Sequence, residues 1–283
     1  MLPKTTLMRL MVRTTQAHMR ATRGRHIRHI RSYSSAAAAA AATGGDVEDK
    51  VVRASPSAIK GEVDVCYELV QRQGRGFVYL GSSRAAPSSS HYQLTRDLAR
   101  QIHTLYPSST CWSGAGPGLM EACTLGARDA GARVAGLKIY WGEALEDDDA
   151  VSKTTHPYLT HEEHAVLYFF SARKHGLVDA GVRAQETDRT AFIALPGGVG
   201  TLDELLEVLV LRQLKRVDAP RGTEHPLPPA LVMNYDGVYD GLLQFLQEDA
   251  RRFGYVSEGE LDEHLLVCAT NEEAVNAIKA FYA

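Results

Sequence analysis

Glu204 is a carboxylate in an unusual place. It lies three residues beyond Pro196-Gly197-Gly198-Val199-Gly200-Thr201, which itself follows the short apolar run Ala191-Phe192-Ile193-Ala194-Leu195. A run of that length and composition is what a buried parallel strand looks like. Past the glycines, Leu202, Leu205, Leu206, Leu209 and Val210 recur at helical spacing, so the stretch predicts strand, glycine turn and helix. Glycines let a ligand approach the backbone closely. The first turn of the helix offers unpaired N–H groups and a positive dipole end, and together these favour a phosphate. Asp203 and Glu204 are expected in that first turn. Compensation of the dipole is a sufficient account of Asp203. Glu204 is placed to face the same ligand, and a carboxylate beside a bound phosphate is costly unless it does chemistry. The chemistry open to it is stabilising a nearby positive charge and orienting or deprotonating a water.

Two other short stretches have the same character. Phe77-Val78-Tyr79-Leu80 is a predicted strand delivered into Gly81-Ser82-Ser83-Arg84, and Thr110-Cys111-Trp112-Ser113 is a second, delivered into Gly114-Ala115-Gly116-Pro117-Gly118-Leu119-Met120-Glu121. Ser82 and Ser83 fit a nucleotide contact or an ordinary helix cap equally well. Pro117 suits a first helical position. The second loop is not G-x-G-x-x-G, because Leu119 stands in place of the third glycine, and no acid ends the next strand, Val134-Ala135-Gly136-Leu137-Lys138-Ile139. A dinucleotide is therefore disfavoured, and with no Gly-Lys-Ser/Thr a P-loop is excluded. The basic pair Arg173-Lys174 is, from spacing alone, an exposed pair on a helix. Arginine is also the side chain suited to bidentate phosphate contacts.

Taken together, Pro-Gly-Gly-x-Gly-Thr-x-x-Glu at 196–204, Gly-Leu-Met-Glu at 118–121 and Arg173-Lys174 resemble the LOG ("lonely guy") family. These are the cytokinin riboside 5′-monophosphate phosphoribohydrolases, long mislabelled as lysine decarboxylases. The resemblance spans roughly residues 76–283. It implies that Arg173 and Glu204 are catalytic. It further implies that Ser82, Ser83, Gly114, Gly116, Gly118, Met120, Glu121, Lys174, Pro196, Gly197, Gly198, Gly200 and Thr201 border the substrate. Cleavage of the N-glycosidic bond of a nucleoside 5′-monophosphate would yield free base and ribose 5-phosphate, with no metal and no organic cofactor. A homodimer or higher homo-oligomer is implied in the same way. The rival of another class is a non-catalytic nucleotide or molybdenum-cofactor carrier of the same fold. The decarboxylase label would require a pyridoxal-phosphate lysine in a suitable motif, and none is evident. The loop sequence at 114–121, the leading helix and the excursion at 141–155 all depart from the short plant type, so the base released is left open.

Composition sets outer bounds. The chain has 283 residues, 45% hydrophobic and 23% charged, as an ordinary globular protein does. It lacks a run of eighteen apolar residues, so no membrane span is expected. Cys66, Cys111, Cys123 and Cys268 are scattered without C-x-x-C, which points to buried reduced thiols. Residues 1–45 carry Lys4, Arg9, Arg13, Arg20, Arg23, Arg25, Arg28 and Arg31 and no acid. Removing those eight from the net charge of −3 leaves a body at −11, which does not suit a general nucleic-acid binder. The basic segment, with Leu7, Leu10 and Met11 on one helical side and Arg31-Ser32-Tyr33-Ser34-Ser35 resembling a processing site, reads as a mitochondrial presequence cleaved after Tyr33. A plastid peptide and a basic cytoplasmic tail are the alternatives. Residues 51–283 are expected to form a single nucleotide-binding domain.

The remaining elements have to position these groups. A leading helix is expected over 51–75, with Ile59, Val63, Cys66, Tyr67 and Val70 on one face, and a second helix over 91–106. Val166-Leu167-Tyr168-Phe169-Phe170 is an apolar run that periodicity leaves open between a strand and the front of the helix carrying the basic pair, and the family resemblance implies the helix. His156, His161 and His164 lack the H-E-x-x-H spacing of a metal site. Arg212, Lys215 and Arg216 are expected to balance a helix C-terminus. Further elements are a strand over 230–234, a helix over 239–252, a strand over 265–268 and a closing helix from Asn271. Strand and helix alternate, which predicts an α/β fold: a Rossmann-like, doubly wound parallel sheet with helices on both faces.

Overall fold

The computed structural model describes residues 56–140, 156–215 and 227–283. The basic segment 1–45, the start of the leading helix, the excursion at 141–155, Arg216 and most of the proline-rich loop before residue 230 lie outside the described residues.

Seven strands pair in parallel in the order β4-β3-β2-β1-β5-β6-β7. They are β1 (Gly76–Leu80), β2 (Thr110–Ser113), β3 (Val134–Ile139), β4 (His164–Leu167), β5 (Ala191–Ala194), β6 (Ala230–Met233) and β7 (Leu266–Cys268). β1 and β5 are the centre of the sheet, and all but one of their residues are apolar. Both are fully buried, because helices cover the two faces of a parallel sheet.

Helices α2 (Ser90–Leu105), α3 (Leu119–Asp129) and α9 (Asn271–Tyr282) pack on one face through Leu98, Ile102, Cys123 and Ile278. The other face is covered by α1 (Pro56–Gln73), α4 (Phe170–Gly181), α5 (Val199–Gln213) and α6 (Asp240–Gln244), through Leu69, Leu177, Leu205, Val208 and Leu243. α6 runs through a π turn at Phe245–Asp249 into the short α7 (Ala250–Arg252), and α8 (Glu260–His264) precedes β7. This is the doubly wound α/β architecture expected. The chain works outward from β1 to β4 and then returns to place β5 on the other side of β1. The crevice at their carboxyl ends is the switch point where such sheets bind ligands.

Several expectations are corrected. Val166 and Leu167 belong to β4, paired with Lys138 and Ile139, and α4 starts only at Phe170. An apolar run gives no periodicity to separate the two states, and the free edge of β3 decides it. On α1 the buried positions are Cys66, Leu69 and Val70, while Tyr67 is 53% exposed. Pro117 precedes the helix cap, which is Gly118 at φ 71°. α5 begins at Val199, so Asp203 and Glu204 lie in its second turn and no acid occupies the first. Arg212 is buried and donates to the carbonyls of His264 and Pro228, tying α5 to neighbouring segments instead of balancing its own terminus. All four cysteines are free and buried, and burial pushes the Cys66 thiol up to about 12 and the Cys268 thiol up to about 11. Such thiols are inert.

α4 lies unusually close to its neighbours. A Cβ at Gly176 would come within 2.6 Å of Leu137 Cδ1 and 2.7 Å of the Cys66 Cβ, closer than atoms can pack. Gly176→Ala is therefore expected to lower stability by about 1–3 kcal/mol through overpacking. Urea unfolding of the variant and the parent measures the difference, and equal midpoints would contradict the close packing.

Candidate functional site

Three loops meet at the switch point, each following the carboxyl end of a strand: 81–89 after β1, 114–118 after β2 and 195–198 after β5. Backbone bonds tie them together. The Ser82 N–H donates to the Pro196 carbonyl at 3.2 Å, and the Leu119 N–H donates to the Ser82 carbonyl at 2.9 Å. Gly118 is obligatory in this junction. Its positive φ is joined by a steric limit, since a Cβ there would sit 2.6 Å from the Ser82 carbonyl oxygen. Ser82 Oγ takes the Arg84 N–H, so this serine shapes its own turn.

The chemistry-bearing pair is Arg173 and Glu204. Nη1 of Arg173 on α4 lies 2.9 Å from Oε1 of Glu204 on α5, and each side chain is only 8% exposed. Three further contacts fix the guanidinium. Nε donates to the Leu137 carbonyl at 3.0 Å, the group sits 5.0 Å from the centre of the Phe170 ring, and it lies against the Gly114 α-carbon. Glu204 Oε1 is held by charge at this distance without the alignment of a full hydrogen bond. Burial raises the Glu204 pKa, and the Arg173 charge draws it back down, with a net shift above the ordinary carboxylate value.

α4 is aimed by α1. Glu62 accepts the N–H groups of Tyr168 and Phe169, each at 2.8 Å, and so satisfies donors at the start of α4, where no cap side chain is present. Lys174, next to Arg173, turns to the outer side and bridges α4 to α5. It lies 3.0 Å from Asp203 and 3.2 Å from Glu207. The structure therefore gives Asp203 an ion-pair partner in place of a dipole role.

The other sequence-predicted residues are distributed as follows. Gly198 caps α5 without a side-chain bond, and residues 198–200 are exposed, so the first N–H groups of this helix are open to an anion. Gly197 faces inward, with its α-carbon against Thr201 and its amide near the Tyr239 hydroxyl, and Thr201 is buried. Pro196 is buried and contributes the carbonyl already described. Met120 packs its sulfur and methyl against Gly114 and Gly116, and Ser83 also lies near Gly116. Glu121, in the first turn of α3, lies by Tyr92, whose phenol is raised by burial and then by the Glu121 charge.

Sequence reasoning missed two residues here. His156 Nε2 lies 2.7 Å from the Ala115 carbonyl, and the Tyr158 hydroxyl donates to the Gly116 carbonyl. In the sequence the histidine raises only the question of a metal, and nothing in a single chain's letters links it to a loop forty residues earlier. Phe170 and the Leu137 carbonyl were also missed as supports of Arg173. A backbone carbonyl leaves no trace in residue identity.

Gly114 leaves the room that the Arg173 guanidinium occupies. A Cβ there would overlap the Arg173 guanidinium, which is the far end of a flexible side chain and can swing aside. Gly114→Ala is expected to move Arg173 off Glu204 and cost roughly 100-fold in turnover, the usual consequence of an ångström-scale misplacement. The melting temperature should fall as well, because a buried charge loses its partner, so turnover is compared per folded molecule. A large loss of stability with activity per folded molecule intact would contradict this reading.

Comparison with known proteins adds to this geometry. A family described as "Possible lysine decarboxylase" matches residues 120–278. The cytokinin riboside 5′-monophosphate phosphoribohydrolase LOG4 of Arabidopsis thaliana is 31% identical over 200 residues, covering 69% of this chain and 78% of that protein. LOG5 of the same plant is 30% identical over 223 residues, covering 76% and 81%. Among solved structures, the molybdenum cofactor carrier protein of Chlamydomonas reinhardtii is 17% identical with a TM-score of 0.44, covering 74% of this chain and 98% of that one, a likeness too distant to bear on function. The family match takes in more than half of the chain, and the two plant relatives align with more than two thirds of it. On both grounds the chain belongs to the LOG family.

Proposed function

We propose that this protein hydrolyses the N-glycosidic bond of a nucleoside 5′-monophosphate, releasing the base and ribose 5-phosphate. The observation that carries the reading is the buried Arg173–Glu204 pair at 2.9 Å, set beside an uncapped helix N-terminus. Breaking the bond develops positive charge on the ribose ring. A carboxylate in a poorly solvated layer stabilises that charge more strongly than one in water. Burial by itself favours the protonated acid. Arg173 opposes this and fixes its orientation. The open N–H groups at 198–200 would take the 5′-phosphate, with the helix dipole behind them, so that the monophosphate is preferred over the free riboside. Support also comes from the phosphoribohydrolase names of the relatives.

The decarboxylase description does not suit the residues present. A pyridoxal phosphate Schiff base needs a lysine of depressed pKa. Lys174, the lysine beside the site, has its pKa raised: desolvation lowers it, but the Asp203 and Glu207 carboxylates together outweigh that. The carrier reading is disfavoured by the same pair, since binding a nucleotide requires no buried carboxylate paired with an arginine.

The outward stripe of Leu206 and Val210 on α5, with Leu214 just past its end, is 41%, 49% and 61% exposed, and a second copy of the chain is the proposed cover, making a homodimer. Sedimentation should give twice the monomer mass, and a monomer at micromolar concentration would remove the dimer. The basic segment 1–45 is proposed to direct the chain to the mitochondrion.

Glu204→Gln is expected to lower base release from AMP by about 1000-fold while AMP binding stays measurable, and Arg173→Ala by roughly 100-fold. The ionised carboxylate is the active form and its pKa is raised, so the rate should fall as pH drops through a value above the ordinary carboxylate range. A pH–rate profile of the parent checks the limb. Full activity in Glu204→Gln would remove the mechanism.

A further inference from the structure

His156, Pro157, Tyr158 and the residues up to Glu163 form a strap across the loop at 114–118. The strap is itself fastened. Arg128 on α3 donates to the Tyr158 carbonyl at 3.0 Å and pairs with Glu163 at 2.6 Å, and Glu163 accepts the Thr160 N–H at 2.8 Å. Leu159 is buried in the core beneath. From this support, His156 donates to the Ala115 carbonyl and Tyr158 to the Gly116 carbonyl.

Those two bonds determine where the loop's polar groups point. A trans peptide directs its C=O and N–H to opposite sides. Turning the Ala115 carbonyl to the strap therefore turns the Gly116 N–H away from it. The following peptide belongs to Pro117 and has no N–H, so its carbonyl is its sole polar group, and Tyr158 takes it. The Ala115 N–H is occupied by Ser113 Oγ at 3.2 Å. Gly116 N–H has no acceptor among the described residues, and Gly116 is partly exposed. Ala115 is at φ 51°, a conformation that a residue with a Cβ resists, so the loop depends on outside bonds to keep it.

We propose that His156 and Tyr158 are positioning residues for substrate: by holding the Ala115 and Gly116 carbonyls, they present the Gly116 N–H to an acceptor oxygen of the bound nucleotide. This rests on the nucleotide reading above and adds to it a donor and the means of aiming it. The imidazole does this only in its neutral form. Nε2 carries the hydrogen given to Ala115, and Nδ1 receives the Tyr158 N–H at 3.4 Å. A second proton would set Nδ1–H against that N–H. The groups facing the ring also disfavour it: His164 on β4, with ring centres 5.0 Å apart, and Lys138 on β3. The Glu121 charge on α3 also reaches Tyr158.

The test uses the full chain carrying Glu204→Gln, so that AMP is bound without turnover, and reads AMP affinity by calorimetry. Adding His156→Ala is expected to weaken binding about tenfold, and Tyr158→Phe about threefold, the size of a lost hydrogen bond. His156→Gln keeps a donor in reach and should stay within about threefold of the parent at neutral pH. As pH falls below the ordinary histidine range, the protein with His156 intact should lose affinity that the His156→Gln variant retains, the titration of AMP itself being common to both. Unchanged affinity in both His156→Ala and Tyr158→Phe, identical pH profiles with histidine and glutamine, or no AMP binding at all would overturn the proposal. Should His156→Ala fail to fold, Tyr158→Phe and the His156→Gln profile still decide. Base release by the parent protein is measured alongside, and its absence would remove hydrolysis while the affinity changes continue to judge the strap.

Discussion

A charge pair taken out of water is the constraint around which this molecule is arranged. Arg173 and Glu204 sit in the helical layer over β1 and β5, among Leu177, Leu205 and Val208. Desolvating two ions costs several kcal/mol each, and their attraction offsets this only when the geometry is good and the remaining polar atoms find partners. The arginine has such partners in the Leu137 carbonyl and the Phe170 ring. The carboxylate has fewer, as its Oε1 lacks an aligned donor. An apolar pair of the same size would stabilise the fold at least as well. That a chain keeps the ions instead fits a site more than a scaffold.

Much of the surrounding structure can be understood as what this pair requires. α4 and α5 must run side by side, and the outer Lys174 bridge to Asp203 and Glu207 joins them a second time in a wetter environment. α4 must lie low on the sheet, which Gly176 and Gly181 permit by bringing it against Leu137, Cys66 and Phe192. It must also start in the right place, and Glu62 on the leading helix supplies that by taking the two N–H groups just ahead of its first residue. α1 therefore contributes to the site without touching it.

The fold is largely legible from the sequence because its signals are local. Short apolar runs ending in small residues mark the strands of a parallel sheet. β4 is the exception, since Val166 and Leu167 continue without a break into the apolar start of α4, and only pairing with β3 separates them. The start of α5 reads too late for a related reason: Val199, Gly200 and Thr201 are poor helix formers that the surrounding fold holds helical. Within the site, the glycine loops announce themselves through residue type. The partnership of Arg173 with Glu204 does not. It joins two helices with a strand between them, and only resemblance to a family brings the two residues together. Arg212 shows the opposite failure, a charge at a helix end whose partners are carbonyls from two distant segments.

The central pairing of β1 with β5, Phe77 opposite Ala191 and Leu80 opposite Ala194, joins stretches of chain that are far apart in sequence. Contacts of that kind close large loops and form late and slowly. Helices with local contacts, such as α2 and α3, do not have to wait for them. The crevice between β1 and β5 comes into being only with this last closure. A refolding chain would thus regain its helical circular dichroism well before its capacity to hold a nucleotide, and the interval between the two would time the docking of the sheet's halves.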